Sequence, residues 1–109
     1  MARFIHEGNS IDYTPGSDTA AGAVVVQGDL IGVAARDIKA NKLGALAVAG
    51  VFDFPKATGA STAIAAGALC YWNAGAQQAT TTASGNKLIG KCSKAAADAD
   101  ALVRIRMSQ

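Results

Sequence analysis

The stretch Ala45-Leu46-Ala47-Val48-Ala49-Gly50-Val51-Phe52-Asp53-Phe54 carries the reading on which the fold turns. Leu46, Val48, Phe52 and Phe54 fall on one side, Ala47, Ala49 and Asp53 on the other, with Gly50 between. Alternation with period two marks a strand with one buried face. Pro55 then removes a backbone donor and ends the ladder. The stretch therefore reads as one strand over residues 45–54, and its texture recurs on both sides.

Upstream, Val24-Val25-Val26 is β-branched and favours extended backbone. Gln27-Gly28-Asp29 punctuates it and Leu30 to Ala35 resumes it, which reads as a hairpin. Ala40 to Gly44 is a turn. Downstream, Leu69–Trp72, the threonine-rich run from Gln77 to Ala83, Lys87–Ser93 and Val103–Met107 read as strands. In the last of these, Val103, Ile105 and Met107 share one face, and Arg104 and Arg106 share the other, which reads as a solvated face. Residues 57–68 are small and read as a loop with a helical turn over 61–66.

Leu30-Ile31-Gly32 returns as Leu88-Ile89-Gly90. Each copy reads as strand, turn, strand through Leu-Ile-Gly, loop, and a further strand beginning Ala-Leu, at Ala45-Leu46 and at Ala101-Leu102. A glycine at the same place in each predicts a bulge or a close backbone approach. The chain thus divides into an N-terminal arm (1–22), a first β-lobe (23–55), a connecting loop (56–67) and a second β-lobe (68–107). The expected architecture is a single, mainly β domain, a small sandwich or barrel, with at most one or two short helical turns. Within the arm, Phe4-Ile5 and Ile11-Asp12-Tyr13 read as short edge strands, and Pro15–Asp18 as a turn.

Half of the 109 residues are hydrophobic, but alanine supplies 25 of them, so large apolar side chains are few and a lone subunit has a thin core. Small domains expose much of their surface and gain stability by association, which predicts an oligomer. The net charge of +2 comes from scattered lysines and arginines without interleaved aromatics, which argues against nucleic acid as a partner. No apolar run approaches the roughly 20 residues of a membrane helix, and the first ten residues have no signal-peptide pattern. Cys70 and Cys92 read as buried free thiols of a protein made in the cytoplasm.

Catalytic candidates are few. Gly85 to Cys92 is one residue from the phosphate-cradling G-x-x-x-x-G-K-[ST] loop, which raises nucleotide binding or a recombination accessory role as the alternative. Cys92 stands where that loop places a magnesium-binding hydroxyl, and a thiol is a poor ligand for a hard cation. Only 17 residues follow it. His6, Cys70 and Cys92 lack metal-ligand spacing, and no nucleophile elbow occurs. Glu7 is the only glutamate, and Asp12, Asp18, Asp29, Asp98 and Asp100 lie in or beside turns. No catalytic, cofactor-binding or metal residue is expected. Tyr71 and Trp72 point to opposite faces of one strand, one ring to the core and the other toward a contact.

Phe4–Gly8 with Ile11–Tyr13, Gly28–Ala34, Gly50–Ala57, Gly67–Asn73, Thr81–Gly90 and Val103–Met107, taken in order, resemble the capsid cement (head decoration) proteins of tailed bacteriophages and prophages. That family was formerly a domain of unknown function with a recombinase-like label. Ala68 stands where a polar residue is more usual. The resemblance covers almost the whole chain. It implies a structural protein of the virion that binds the exterior of the head through the major capsid protein, assembles as a homotrimer, takes no cofactor and catalyses nothing. The arm supplies the expected contacts, Arg3, Phe4, Ile5 and His6, by adding a strand to a neighbouring sheet.

Overall fold

The computed structural model describes Ala2 and residues 8–107, and among them it shows nine strands and no helix. The strands are β1 (Ser10–Tyr13), β2 (Val24–Gln27), β3 (Leu30–Ala34), β4 (Gly44–Ala47), β5 (Gly50–Pro55), β6 (Leu69–Asn73), β7 (Gln78–Thr80), β8 (Lys87–Lys94) and β9 (Leu102–Met107). They form two open antiparallel sheets, ordered β1-β4-β3-β2 and β5-β9-β8-β6-β7. The mainly β expectation holds, as a small sandwich and not a closed barrel.

The decisive stretch is not one strand. β4 stops at Ala47 and pairs with β1 and β3, whereas β5 starts at Gly50 and pairs with β9 in the other sheet. Gly50 sits at φ +119°, a backbone state that side chains with a Cβ rarely adopt. The alternation continues through the break, so periodicity alone hides it. Nor does a helical turn form over 61–66. Ser61 is left-handed at φ +64°, and Ile64 bridges Ala96 instead. Residues 10–13, assigned above to the arm, form the edge strand β1.

The repeat is deeper than the Leu-Ile-Gly echo. In the first copy Gly22 donates to the Ala34 carbonyl, Ala34 to Ala23, and Thr19 and Ile38 exchange two bonds. In the second, Gly67 donates to Cys92, Cys92 to Ala68, and Ile64 and Ala96 exchange two bonds. Gly22 and Gly67 both sit at φ +85°. The ladders match as well. Val25 faces Gly32 where Cys70 faces Gly90, and Ala34 faces Leu46 where Cys92 faces Ile105. The order β1-β4-β3-β2 is thus repeated as β5-β9-β8-β6, with β7 added at the edge.

Two expected details change. Leu46 corresponds to Ile105, so Ala45-Leu46 and Ala101-Leu102 are not equivalent. The strand beside β8 is β6, not the threonine-rich β7. The repeated glycines behave as expected. A Cβ on Gly32 would lie 2.8 Å from that of Leu46, and a bulge sits in β8 just before Gly90.

The main buried cluster lies on the inner face of the five-stranded sheet. It holds Phe54, Trp72, Ile89, Val103, Ile105 and Met107, joined by Ile31 and Val33 of β3, with Val24 packed against it. That junction ties the sheets together. Phe54 and Trp72 meet edge to face at 6.1 Å. A smaller cluster of Ala34, Ile38 and Leu46 lies within the first copy. Among the described residues one charged side chain is buried, Lys56. Its ammonium donates to the carbonyls of Ala57 (2.7 Å) and Asp100 (2.9 Å) and, more weakly, to Thr62 Oγ1. It thereby fastens the 56–62 connection to the β8–β9 loop.

Candidate interaction surface

The near-phosphate loop is a turn followed by a strand. Gly85 lies in the turn, Asn86 donates to Ala83, and Lys87–Lys94 is β8. β8 pairs with β6 on one side and β9 on the other. Its backbone groups serve the ladders and do not turn inward on one point, as a phosphate cradle requires. Lys91 instead projects from the sheet beside Leu69 and Arg106.

Cys70 and Cys92 are free and buried, as expected. Burial first, and then the neighbouring Cys92, push the Cys70 thiol up to about 11. The Cys92 thiol donates to the Lys94 carbonyl at 2.9 Å. A raised thiol is a poor nucleophile and a poor metal ligand at neutral pH. Among the described residues no group of three or more His, Cys, Asp or Glu side chains is placed to hold a metal. No helix among them is long and apolar enough to cross a membrane.

The aspartates act largely on backbone. Asp98 accepts from the amides of Thr62 and Ala63, Asp37 from Ala21, Asp18 from Ala40 and Asp100 from Ala97. Asp29 differs, because it pairs with Lys87 at 2.6 Å. The Lys87 hydrogen bond, and next its charge, hold the Asp29 carboxyl below the usual range. The contact residues expected from sequence, Arg3, Phe4, Ile5 and His6, lie outside the described residues.

The duplicated ladder leaves one corresponding cleft in each copy. In the second copy it holds about 160 Å³ beside Asp53, Lys94 and Leu102, with Arg104 paired to Asp53 at 3.1 Å. In the first copy Ala45 and Asp12 take the register places of Arg104 and Asp53, and the cleft opens to about 610 Å³. Leu43, at its rim, is 71% exposed.

The outer face of the five-stranded sheet belongs to the sheet with more strands. Strand alternation turns Ile105 and Met107 inward and Arg104 and Arg106 outward. The ladders then set Val51, Arg106, Lys91 and Leu69 in one row across four strands. Lys94 lies opposite Arg104 in the next row. The two rings do take opposite sides of β6, and it is Trp72 that enters the core and Tyr71 that lies on the outer side. Sequence reading found the outward arginines but not the row, because a row is a product of register.

Comparison with known families places almost the whole chain. No curated protein and no solved structure matches the chain. Residues 5–107 match the phage cement protein family. With all but a few terminal residues covered, and the expected two-sheet β body in place, the chain belongs to the phage cement proteins, a family of capsid decoration.

Proposed function

We propose that this chain binds the exterior of a tailed-phage or prophage head, contacts the major capsid protein, and stabilises the shell without catalysing a reaction. It is made in the host cytoplasm, folds as one domain spanning 1–109, and docks as a homotrimer. The observation that carries the reading is family membership over residues 5–107, on a body of two joined sheets with no helix among the described residues. Each of the nine strands is hydrogen-bonded to at least one neighbour, which suits a rigid reinforcing body. Alanine supplies 25 of the chain's hydrophobic residues, and with large apolar side chains few, each subunit has reason to bury surface on others.

The test is reconstitution. Heads assembled without the chain are mixed with purified protein, and occupancy and the shell's melting temperature are measured. Saturable binding with a raised melting temperature is expected. Heads that take up none of it, or melt unchanged when saturated, would refute the reading. Light scattering on the free protein gives the subunit number, three being expected.

A further inference from the structure

The outer face of the five-stranded sheet has a charge bias that its fold does not need. Lys91, Lys94, Arg104 and Arg106 project from β8 and β9, with Asp53 beside them and Asp100, whose carboxylate accepts from the Ala97 amide, lining the cleft next to Lys94 and Arg104. Asp53 is taken by Arg104. Among the described residues Lys91, Lys94 and Arg106 make no ion pair. Apolar groups flank the cations, with Val51 55% exposed, Leu102 54% and Leu69 47%. Tyr71, half-buried, continues that flank along β6. Arginine and tyrosine set among exposed aliphatic groups are the composition of a protein interface.

The repeat supplies a second argument. Val24 and Val33 of the first copy hold the register places of Leu69 and Lys91 in the second. In the first copy that side is turned to the other sheet, with Val33 inside the shared cluster and Val24 against it. The fold therefore uses this side once already as a docking face. In the second copy the same side is open and carries cations.

We propose that this face is the one that docks on the head, and that its partner is a protein surface bearing carboxylates. The proposal rests on the decoration reading and adds to it the face and the chemistry of the partner. The flat row Val51–Arg106–Lys91–Leu69 supplies the central contacts. Unpaired cations steer the approach and fix orientation, and the flanking aliphatic groups supply area.

The test uses the full chain and heads that lack it. A Lys91→Glu, Arg106→Glu double variant is compared with Lys39→Glu, Lys42→Glu, which changes charge equally on the β3–β4 loop. Folding is checked by circular dichroism and melting. If the glutamate pair does not fold, Lys91→Ser with Arg106→Ser replaces it. The expected result is at least a tenfold weaker occupancy constant for the face variant and less than twofold for the loop variant. Wild-type occupancy should fall as salt rises from 50 to 500 mM. A face variant that binds like wild type, or a loop variant that loses as much, would overturn the assignment. Duplex DNA retained by wild type and released by the face variant, with head occupancy unchanged, would overturn it in favour of nucleic acid. Wild-type protein that ignores heads altogether would instead remove the decoration reading itself, and the proposed partner with it.

Discussion

Asp29 and Lys87 hold the same place in the two copies, each directly before Leu-Ile-Gly, and they pair with each other at 2.6 Å. Ile31 and Ile89, two positions on, are both wholly buried in the same cluster. Equivalent residues meet where two copies face one another, so the junction of the sheets lies at the repeated motif. The echo is a packing device. It gives each copy a strand whose apolar residue enters the shared core and whose leading charge closes the seam at the surface.

Gly22 and Gly67 test that equivalence. Both sit at φ +85°, both donate at 2.7 Å, and a Cβ on either would meet nothing within 4 Å. Alanine at either site therefore costs backbone strain alone, about 1–2 kcal/mol. Gly22→Ala and Gly67→Ala are expected to lower the urea midpoint by the same amount within error, with unchanged slope. A loss confined to one of them would mean that the two copies do not unfold together.

Lys56 is expected to matter for stability more than any other charged side chain. Lys56→Met keeps the aliphatic stem and strands the carbonyls of Ala57 and Asp100. Each buried, unpaired polar group costs about 1–3 kcal/mol. An overall loss of about 2–4 kcal/mol is expected by denaturant titration. A variant as stable as wild type would show that water replaces the ammonium without cost.

Much of this was legible beforehand, and the misses in strand organisation arise where sheet membership and pairing are decided by contacts distant in sequence. Strand content, the β2–β3 hairpin, the inward set Val103, Ile105 and Met107, and the buried thiols follow from local alternation and composition. Periodicity reports which side of a strand is buried and not which sheet owns it. Hence Leu46 and Phe54 read as one strand although they serve different sheets. The β6–β8 pairing was missed because β7, nearer in sequence, offered an equally extended partner. The proposed docking face was half visible. Arg104 and Arg106 stand out by alternation, but Val51, Lys91 and Leu69 join them only through register across strands.

The thiols give a pH-dependent prediction. Cys70 ionises at about 11 in the folded chain, against an ordinary value of 9.0, because burial and then Cys92 disfavour the thiolate. Below pH 9 the thiol is neutral in both states and contributes no slope. Between 9 and 11 the unfolded chain loses the proton while the folded chain keeps it, so stability falls as pH rises. Above 11 that contribution is constant. Cys70→Ala should make the fall between pH 9 and 11 shallower than in wild type. An identical slope in both proteins would assign the loss to other groups. At pH 8 both thiols should resist a thiol reagent in the folded protein and react once it is unfolded.

Trp72 presents a buried indole N–H without an acceptor among the described residues. Its ring still contributes, through the edge-to-face contact with Phe54 and its place in the main cluster. Trp72→Phe removes the stranded donor, worth about 1–3 kcal/mol, while it loses apolar area and leaves a partial cavity. These terms oppose each other, so the net change is expected within about 1.5 kcal/mol. Phe54→Ala removes the opposing ring with nothing to offset it and should cost about 3–5 kcal/mol. Circular dichroism gives both values without relying on the only tryptophan as probe. A Trp72→Phe loss as large as that of Phe54→Ala would mean that the indole nitrogen is satisfied in solution, by a bound water or by a neighbouring subunit.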